Sequence, residues 1–349
     1  MKRLFILALA VTSIISCTKE DTTNSGGGGT TNGTATTLLA YADSAQIFTT
    51  DLTGGNRKLA VAAETATINE SIGGVQFSAD GTKFIYSHSL SGAPGVRTIK
   101  SCNLDGSNKK VLKTLDANTN NSFIKVLANG KILLSTNTFT NPGIATKLFT
   151  INEDGTGETA FTQSGFGVTN SRNGDVSKTA QDIIFNSASA PAQGTGYSGR
   201  MISYLGWNAA GTVTGERVIE NSTDVFNDVT KAGAVTLSND GSLVAFAVVS
   251  GSGKFDIYTK GTGANAAARK LIYTIAVPAD IPYFSTYMIN LKWMSSNDKL
   301  LAYIGKFTPP RGAATDYTQC NLITIGATAS TDVNWKFTGD DIGDIVPNF

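Results

Sequence analysis

A two-strand phrase built on an Asp-Gly turn returns along this chain about every 50 residues, and that period constrains the fold more than any other feature. Its clearest copies are VQFSADGTKFIYS at 75–87 and VTLSNDGSLVAFAV at 235–248. Weaker copies read IKVLANGKILLS at 124–135, DVSKTAQDIIFNS at 175–187 and LKWMSSNDKLLAYI at 291–304. Each is followed by a third strand and a polar turn toward a fourth, as in IKSCNLDGSNKKVL at 99–112 and KLFTINEDGTGETAFT at 147–162. Alternating apolar residues with Asn/Asp-Gly pairs between them signal hairpins, because those residues accept the positive φ of a tight turn. A single sheet of this kind cannot cover its own apolar faces, so the copies must pack on one another.

The two ends complete the pattern. TLLAYADSAQIFTTDLTGGNRKLA at 37–60 carries a second, third and fourth strand without a first, and IGDIVPNF at 342–349 is a first strand with nothing after it. Joining them in one sheet removes two free edges that would otherwise template aggregation. The expected fold is therefore all-β, a six-bladed β-propeller of four-stranded antiparallel blades over residues 37–349, closed by pairing of its N- and C-terminal segments in one blade.

Ser78-Ala79-Asp80-Gly81 and Ser238-Asn239-Asp240-Gly241, with Asp105-Gly106-Ser107 and Asp154-Gly155-Thr156 in the later turn, resemble the repeat of the TolB-like family of six-bladed propellers. That repeat carries a Ser-Pro-Asp-Gly turn and a third strand ending in Asp-Gly-Ser or Asp-Gly-Thr. Thr179-Ala180-Gln181-Asp182 and Ser295-Ser296-Asn297-Asp298 depart from it by lacking the glycine. The resemblance implies an envelope scaffold, expected here without the extra N-terminal α/β domain that TolB itself carries. The Asp-Gly motifs are not calcium loops, which need a denser set of oxygen ligands.

Met1-Lys2-Arg3 followed by LFILALAVTSII at 4–15 reads as a secretory signal. Cleavage after Ala10 and cleavage before Cys17 compete, and Ile14-Ile15-Ser16-Cys17 resembles the bacterial lipobox, which would make 1–16 a lipoprotein signal peptide and Cys17 the lipidated residue. Residues 17–36 then form a Gly/Thr-rich tether without apolar anchors. Acyl chains contribute about 0.8 kcal/mol per buried methylene, enough to anchor a domain that crosses no membrane. Thr18-Lys19-Glu20-Asp21 is similar to a signal for display on the outer face of the outer membrane. The expected location is the outer membrane, surface-exposed or on the periplasmic side.

Twenty-eight basic against 27 acidic residues leave a net charge of +1, which offers no field for nucleic acid. One histidine, His88, provides no metal-ligand cluster and no evident catalytic partner, so neither metal nor organic cofactor is implied. Cys102 and Cys320 fall in blades that are not neighbours and are read as two buried thiols.

In a propeller, the second-to-third connections and those between blades emerge on one face, the default binding surface. Here the segments at 87–98, 136–147, 187–200 and 306–319 read as long Pro/Gly loops. Tyr197, Tyr317, Arg311, Phe139 and Phe307 fall within them as candidate ligand contacts, rings for stacking and a guanidinium for orientation. The preferred reading is a monomeric, non-enzymatic lipoprotein whose loop face binds an envelope protein or a glycan. The alternative is a polysaccharide-acting enzyme using channel carboxylates, with Asp175, Asp228 and Asp344 placed to approach the axis.

Overall fold

The computed structural model describes residues 38–348 apart from 66–69, 91–95, 117–118, 141–142, 161–173, 178–181, 188–200, 208–212, 222–234, 250–253, 277–286, 295–296, 307–316, 327–332 and 339–341. Strands β1 (Leu38–Asp43), β2 (Gln46–Asp51) and β3 (Lys58–Val61) come first. They are followed by β4 (Glu70–Phe77), β5 (Lys83–Leu90), β6 (Val96–Asn103) and β7 (Lys110–Thr114). Next come β8 (Thr119–Val126), β9 (Lys131–Thr140), β10 (Gly143–Asn152) and β11 (Thr159–Ala160), then β12 (Gly174–Val176), β13 (Asp182–Ser187), β14 (Met201–Trp207) and β15 (Val213–Asn221). The remainder are β16 (Val235–Leu237), β17 (Leu243–Val249), β18 (Lys254–Gly261), β19 (Lys270–Ala276), β20 (Tyr287–Trp293), β21 (Lys299–Lys306), β22 (Tyr317–Thr324), β23 (Val333–Thr338) and β24 (Ile342–Pro347).

These strands make six four-stranded sheets, in five of which the strands follow chain order. The sixth has the order β24-β1-β2-β3, with Ala40 opposite Val346 and Tyr41 opposite Ile345 in antiparallel register. First strands of successive sheets lie against one another: β4 and β8, β8 and β12, β12 and β16, β16 and β20, β20 and β24, β24 and β4. The result is an all-β propeller of four-stranded antiparallel blades.

The core is a set of apolar layers between neighbouring sheets. Leu39, Tyr41 and Ile345 pack on Leu301, Tyr303 and Leu322, whereas Ala40, Ile47 and Val346 pack on Val75, Phe84 and Tyr86. Adjacent residues of one strand thus serve opposite layers, as the two-residue period of a strand requires. Further layers join β5 and β6 to β8–β10, β14 and β15 to β16 and β17, and β17–β19 to β20–β22. Both Cys102 and Cys320 are free thiols buried in these layers, as expected from their spacing.

The repeated turns explain themselves in hydrogen bonds. The Ser78 hydroxyl donates to Asp80 Oδ1 (2.6 Å) and accepts from the amides of Thr82 (3.1 Å) and Lys83 (2.9 Å). Asp80 in turn accepts from the Thr82 amide (3.0 Å) and hydroxyl (2.8 Å), and these bonds hold its carboxyl down at about 2. Ser238 and Asp240 repeat the arrangement around Ser242 and Leu243. The motif is a self-contained turn in which the aspartate is consumed by its neighbours.

The later Asp-Gly-Ser/Thr turn has a second purpose. A Cβ on Gly106 would lie 2.5 Å from the Ala60 carbonyl oxygen, and one on Gly155 would lie 2.3 Å from that of Leu112. Each glycine therefore lets the third-strand turn of one sheet press on the fourth strand of the sheet before it. Gly155→Ala should cost roughly 2–4 kcal/mol by combining a left-handed backbone with a backbone clash. Gly130 shares the positive φ but meets nothing within 4 Å, so Gly130→Ala should cost only about 1–2 kcal/mol. Equal losses in urea denaturation would show that contact between sheets is not what the glycine serves.

The segment 136–147 is a hairpin arm, not a long loop: β9 and β10 pair from Thr140↔Gly143 down to Thr136↔Lys147, leaving two residues between them. Its threonines and Phe139 favour a ladder and override the loop reading drawn from Asn141, Pro142 and Gly143. Likewise Ser87–Leu90 belong to β5 and Tyr317–Gln319 to β22.

Candidate functional site

The residue two positions before the first turn is, sheet by sheet, Gln76, Lys125, Asp175, Thr236, Lys292 and Val346. All six line one cavity of about 200 Å³ enclosed by β4, β8, β12, β16, β20 and β24. Its rim includes Ala79 and Ala128, which are exposed, so it reaches the surface among the first turns. It lies at the C-terminal ends of the first strands, opposite to the ends at which Glu70, Thr119 and Tyr287 begin theirs.

Charge in this ring is tied across sheets. Lys125 Nζ lies 2.7 Å from Asp175 Oδ1, while Asp175 Oδ2 accepts from the Thr236 hydroxyl (2.5 Å) and the Leu237 amide (3.1 Å). Burial pushes the Asp175 carboxyl up, but the charges of Lys125 and Lys292 and the bonds from Lys125 and Thr236 outweigh it, and the net shift is downward. Asp175 is an anion at neutral pH that joins β8, β12 and β16. A carboxylate held this way is a poor proton donor at neutral pH. Trp293, on the same wall, donates its indole N–H to the Thr236 carbonyl (3.3 Å) and extends the ties to β20.

Asp175→Asn should cost about 3–5 kcal/mol, because it leaves Lys125 without its counter-ion in a buried place. Since folding lowers the Asp175 pKa below 3.8, this contribution is present above that value and disappears as pH falls through the lower folded value. Urea midpoints at neutral pH and at pH 3 measure both effects.

A second polar cluster sits at the other end of β4. Glu70, with its side chain fully buried, takes the Glu64 amide (2.9 Å) and His88 Nε2 (2.8 Å) on Oε1, and the Thr65 amide (2.7 Å) and hydroxyl (2.8 Å) on Oε2. Burial raises its pKa, yet these four donors bring it down to about 2. An ionised carboxylate only accepts, so Nε2 of His88 carries the proton of that bond. Glu64 bonds Lys100 Nζ at 2.6 Å and lies 4.0 Å from His88. Together they staple the connection between β3 and β4 onto β4–β6.

His88 thus has partners, contrary to the sequence reading, and the described residues do contain a His/carboxylate cluster. The ligand atoms of Glu64, Glu70 and His88 lie within 4.8 Å of one another. The donor set nevertheless fits a metal poorly. Both oxygens of Glu70 are saturated by donors, and Lys100 holds Glu64 where a cation would need it.

Other residues singled out from the sequence are dispersed. Tyr317 opens β22 half-buried and packs against the layer containing Ile289 and Ile304. Phe139 stands in β9 opposite Ile144, and Asp344 in β24; their side chains lie outside the described residues. Cys17, Tyr197, Asp228, Phe307 and Arg311 lie wholly outside them.

No family model and no curated protein matches the chain. Solved structures do. TolB from Acinetobacter baumannii superposes with a TM-score of 0.57 at 11% identity, over 89% of this chain and 66% of that one. The fold is TolB-like. The TolB-like blades also match a 6-phosphogluconolactonase candidate from Bacteroides fragilis NCTC 9343, with a TM-score of 0.52 at 10% identity over 91% of this chain and 99% of that one. A similar candidate from Bacteroides uniformis gives 0.51 at 9% identity, over 89% and 99%. At such identities the likeness is one of architecture, and the chain spans just under two thirds of the TolB structure.

Proposed function

We propose that this chain is a non-enzymatic binding module of the bacterial envelope. It is a six-bladed ring closed by its own ends, anchored to the outer membrane by lipid on Cys17, and it offers its connecting-loop face to a protein partner or a glycan. The observation that carries the non-enzymatic part is the state of Asp175. It is ionised, buried, and committed to Lys125, Thr236 and Leu237, where an acid catalyst would need a proton and a general base an unspent lone pair. Pairing of β24 with β1 and contact of β20 with β24 support the closed ring. Tyr197, Tyr317, Arg311, Phe139 and Phe307 remain the proposed contacts on the loop face, and the TolB-like architecture fits a scaffold role.

A glycan array together with affinity capture from envelope extracts tests the reading. It expects a bound glycan or envelope protein that is lost in Tyr197→Ala and Arg311→Ala. Polysaccharide cleavage by the wild-type chain that vanishes in folded Asp175→Asn or Asp344→Asn would instead establish the enzyme.

A further inference from the structure

The turn between β8 and β9 carries a reactive pair of its own, independent of the loop-face reading. Asn129 and Gly130 close that hairpin where Asp80-Gly81 and Asp240-Gly241 close theirs. Among the described residues, Asn129 is the one asparagine followed by glycine. It is exposed, Gly130 has a φ of 78°, and a Cβ on Gly130 would meet nothing within 4 Å. Asn129 Oδ1 accepts the Lys131 amide (3.1 Å), and the Gly130 amide donates to the Leu127 carbonyl (3.0 Å). The first bond draws electron density from Cγ and would hold an oxyanion developing there. The second occupies the Gly130 nitrogen and must open locally before that nitrogen can attack. Two other exposed turn asparagines, Asn56 and Asn108, precede Arg57 and Lys109, whose side chains crowd their own amide nitrogens.

We propose that Asn129 is a modification site at which the chain converts its own side-chain amide to a carboxylate. The Gly130 nitrogen gives its proton to a base in the solvent and bonds to Asn129 Cγ. The Cγ–Nδ2 bond breaks, ammonia leaves with a proton returned by the solvent, and a cyclic imide joins the two residues. Water then opens the ring. Addition at Cγ leaves aspartate, and addition at the main-chain carbonyl leaves isoaspartate, in which the chain runs through Cγ. Nothing is oxidised or reduced, and water is the one further reactant. The turn accommodates aspartate: a carboxylate at this position accepts the Lys131 amide as Asp80 and Asp240 accept those of Thr82 and Ser242 (both 3.0 Å). Isoaspartate lengthens the main chain by a methylene and disturbs the bond from the Leu127 amide to the Lys131 carbonyl (2.8 Å). Ala128 lines the channel cavity, so either product sets a negative charge beside its rim.

Ageing the full chain at mildly alkaline pH and mapping its peptides by mass spectrometry tests this. The peptide that contains Asn129 is expected to gain the mass difference between amide and acid, with aspartate and isoaspartate forms separating on chromatography. A synthetic peptide of 124–135, free of the bond to Leu127, should convert faster, and urea should raise the rate in the full chain toward that of the peptide. Asn129→Gln should abolish the shift. Gly130→Ala should slow it, because the added methyl crowds the attacking nitrogen. Chains carrying isoaspartate should unfold at lower urea than Asn129→Asp, which keeps the turn. Asn32-Gly33 and Asn173-Gly174 fall in other peptides and are read separately. An amide that persists at 129 in the folded chain while the synthetic peptide converts completely, or a shift of this peptide that survives Asn129→Gln, would overturn the proposal. Loss of loop-face binding in Tyr197→Ala leaves the peptide map unchanged, so the two readings fail separately.

Discussion

Removing residues 342–349 should abolish cooperative folding of the whole propeller, an effect out of proportion to a segment of this size. β24 is the first strand of a sheet whose other strands come from the opposite end of the chain, so its loss strips β1 of its inner partner. Ile345 is buried among Leu39, Tyr41, Leu301 and Tyr303, and Val346 among Ala40, Val75 and Phe84. Each contributes roughly 1.5–3 kcal/mol of burial, and removing both opens two layers at once. The Ile345 amide also donates to the Tyr303 hydroxyl (3.2 Å), and the Asn348 amide to the Leu38 carbonyl (2.7 Å). Against a typical domain stability of about 5–15 kcal/mol, the combined loss reaches the unfolding threshold. The truncated chain should bind a hydrophobic dye and lose its sigmoidal urea transition. Ile345→Ala alone should retain the transition with a loss of about 2–4 kcal/mol. A truncated chain melting at the wild-type midpoint would mean that the C-terminal strand is ornamental.

The second large effect concerns Glu70. Folding lowers its pKa from 4.5 to about 2, a difference worth about 3 kcal/mol at neutral pH. The sign follows from the direction. A depressed carboxyl stabilises the fold fully above about pH 4.5, and that contribution drains away as pH falls toward about 2. Glu70→Gln should therefore lower stability by about 3 kcal/mol at pH 7 and by much less near pH 2.5. The gap between wild type and variant isolates this residue from Asp80, Asp175 and the other carboxyls that folding also depresses. A gap independent of pH would show that the four donors around Glu70 hold a group whose charge does not matter.

Much of this architecture is readable because its causes are local. Ser78-Ala79-Asp80-Gly81 and Asp154-Gly155-Thr156 form turns by bonds within five residues, so their spacing alone locates the hairpins. The split of one sheet between 37–60 and 342–349 is legible for the same reason, since each end shows the strands it lacks. Asp175 is found among the channel carboxylates, but its partners are not: Lys125 and Thr236 lie 50 and 61 positions away. Aligning the repeats two residues before each turn would have exposed Lys125 and Lys292. Glu70 and His88 carry no such signal, because a buried carboxylate at a strand start looks like any solvated charge until the fold places four donors around it. At 136–147 the Asn-Pro-Gly triplet suggested a loop, whereas the β-branched residues flanking it set the strand length.

Both ends of the chain share one sheet. Hydrogen exchange of the C-terminal peptide, 342–349, tests it with the native chain and no substitution. Protection there is expected to equal that of the matching first strand at 119–126, with both opening together as urea rises. Exchange of the 342–349 amides at the rate of a free tail, while 119–126 stays protected, would contradict it.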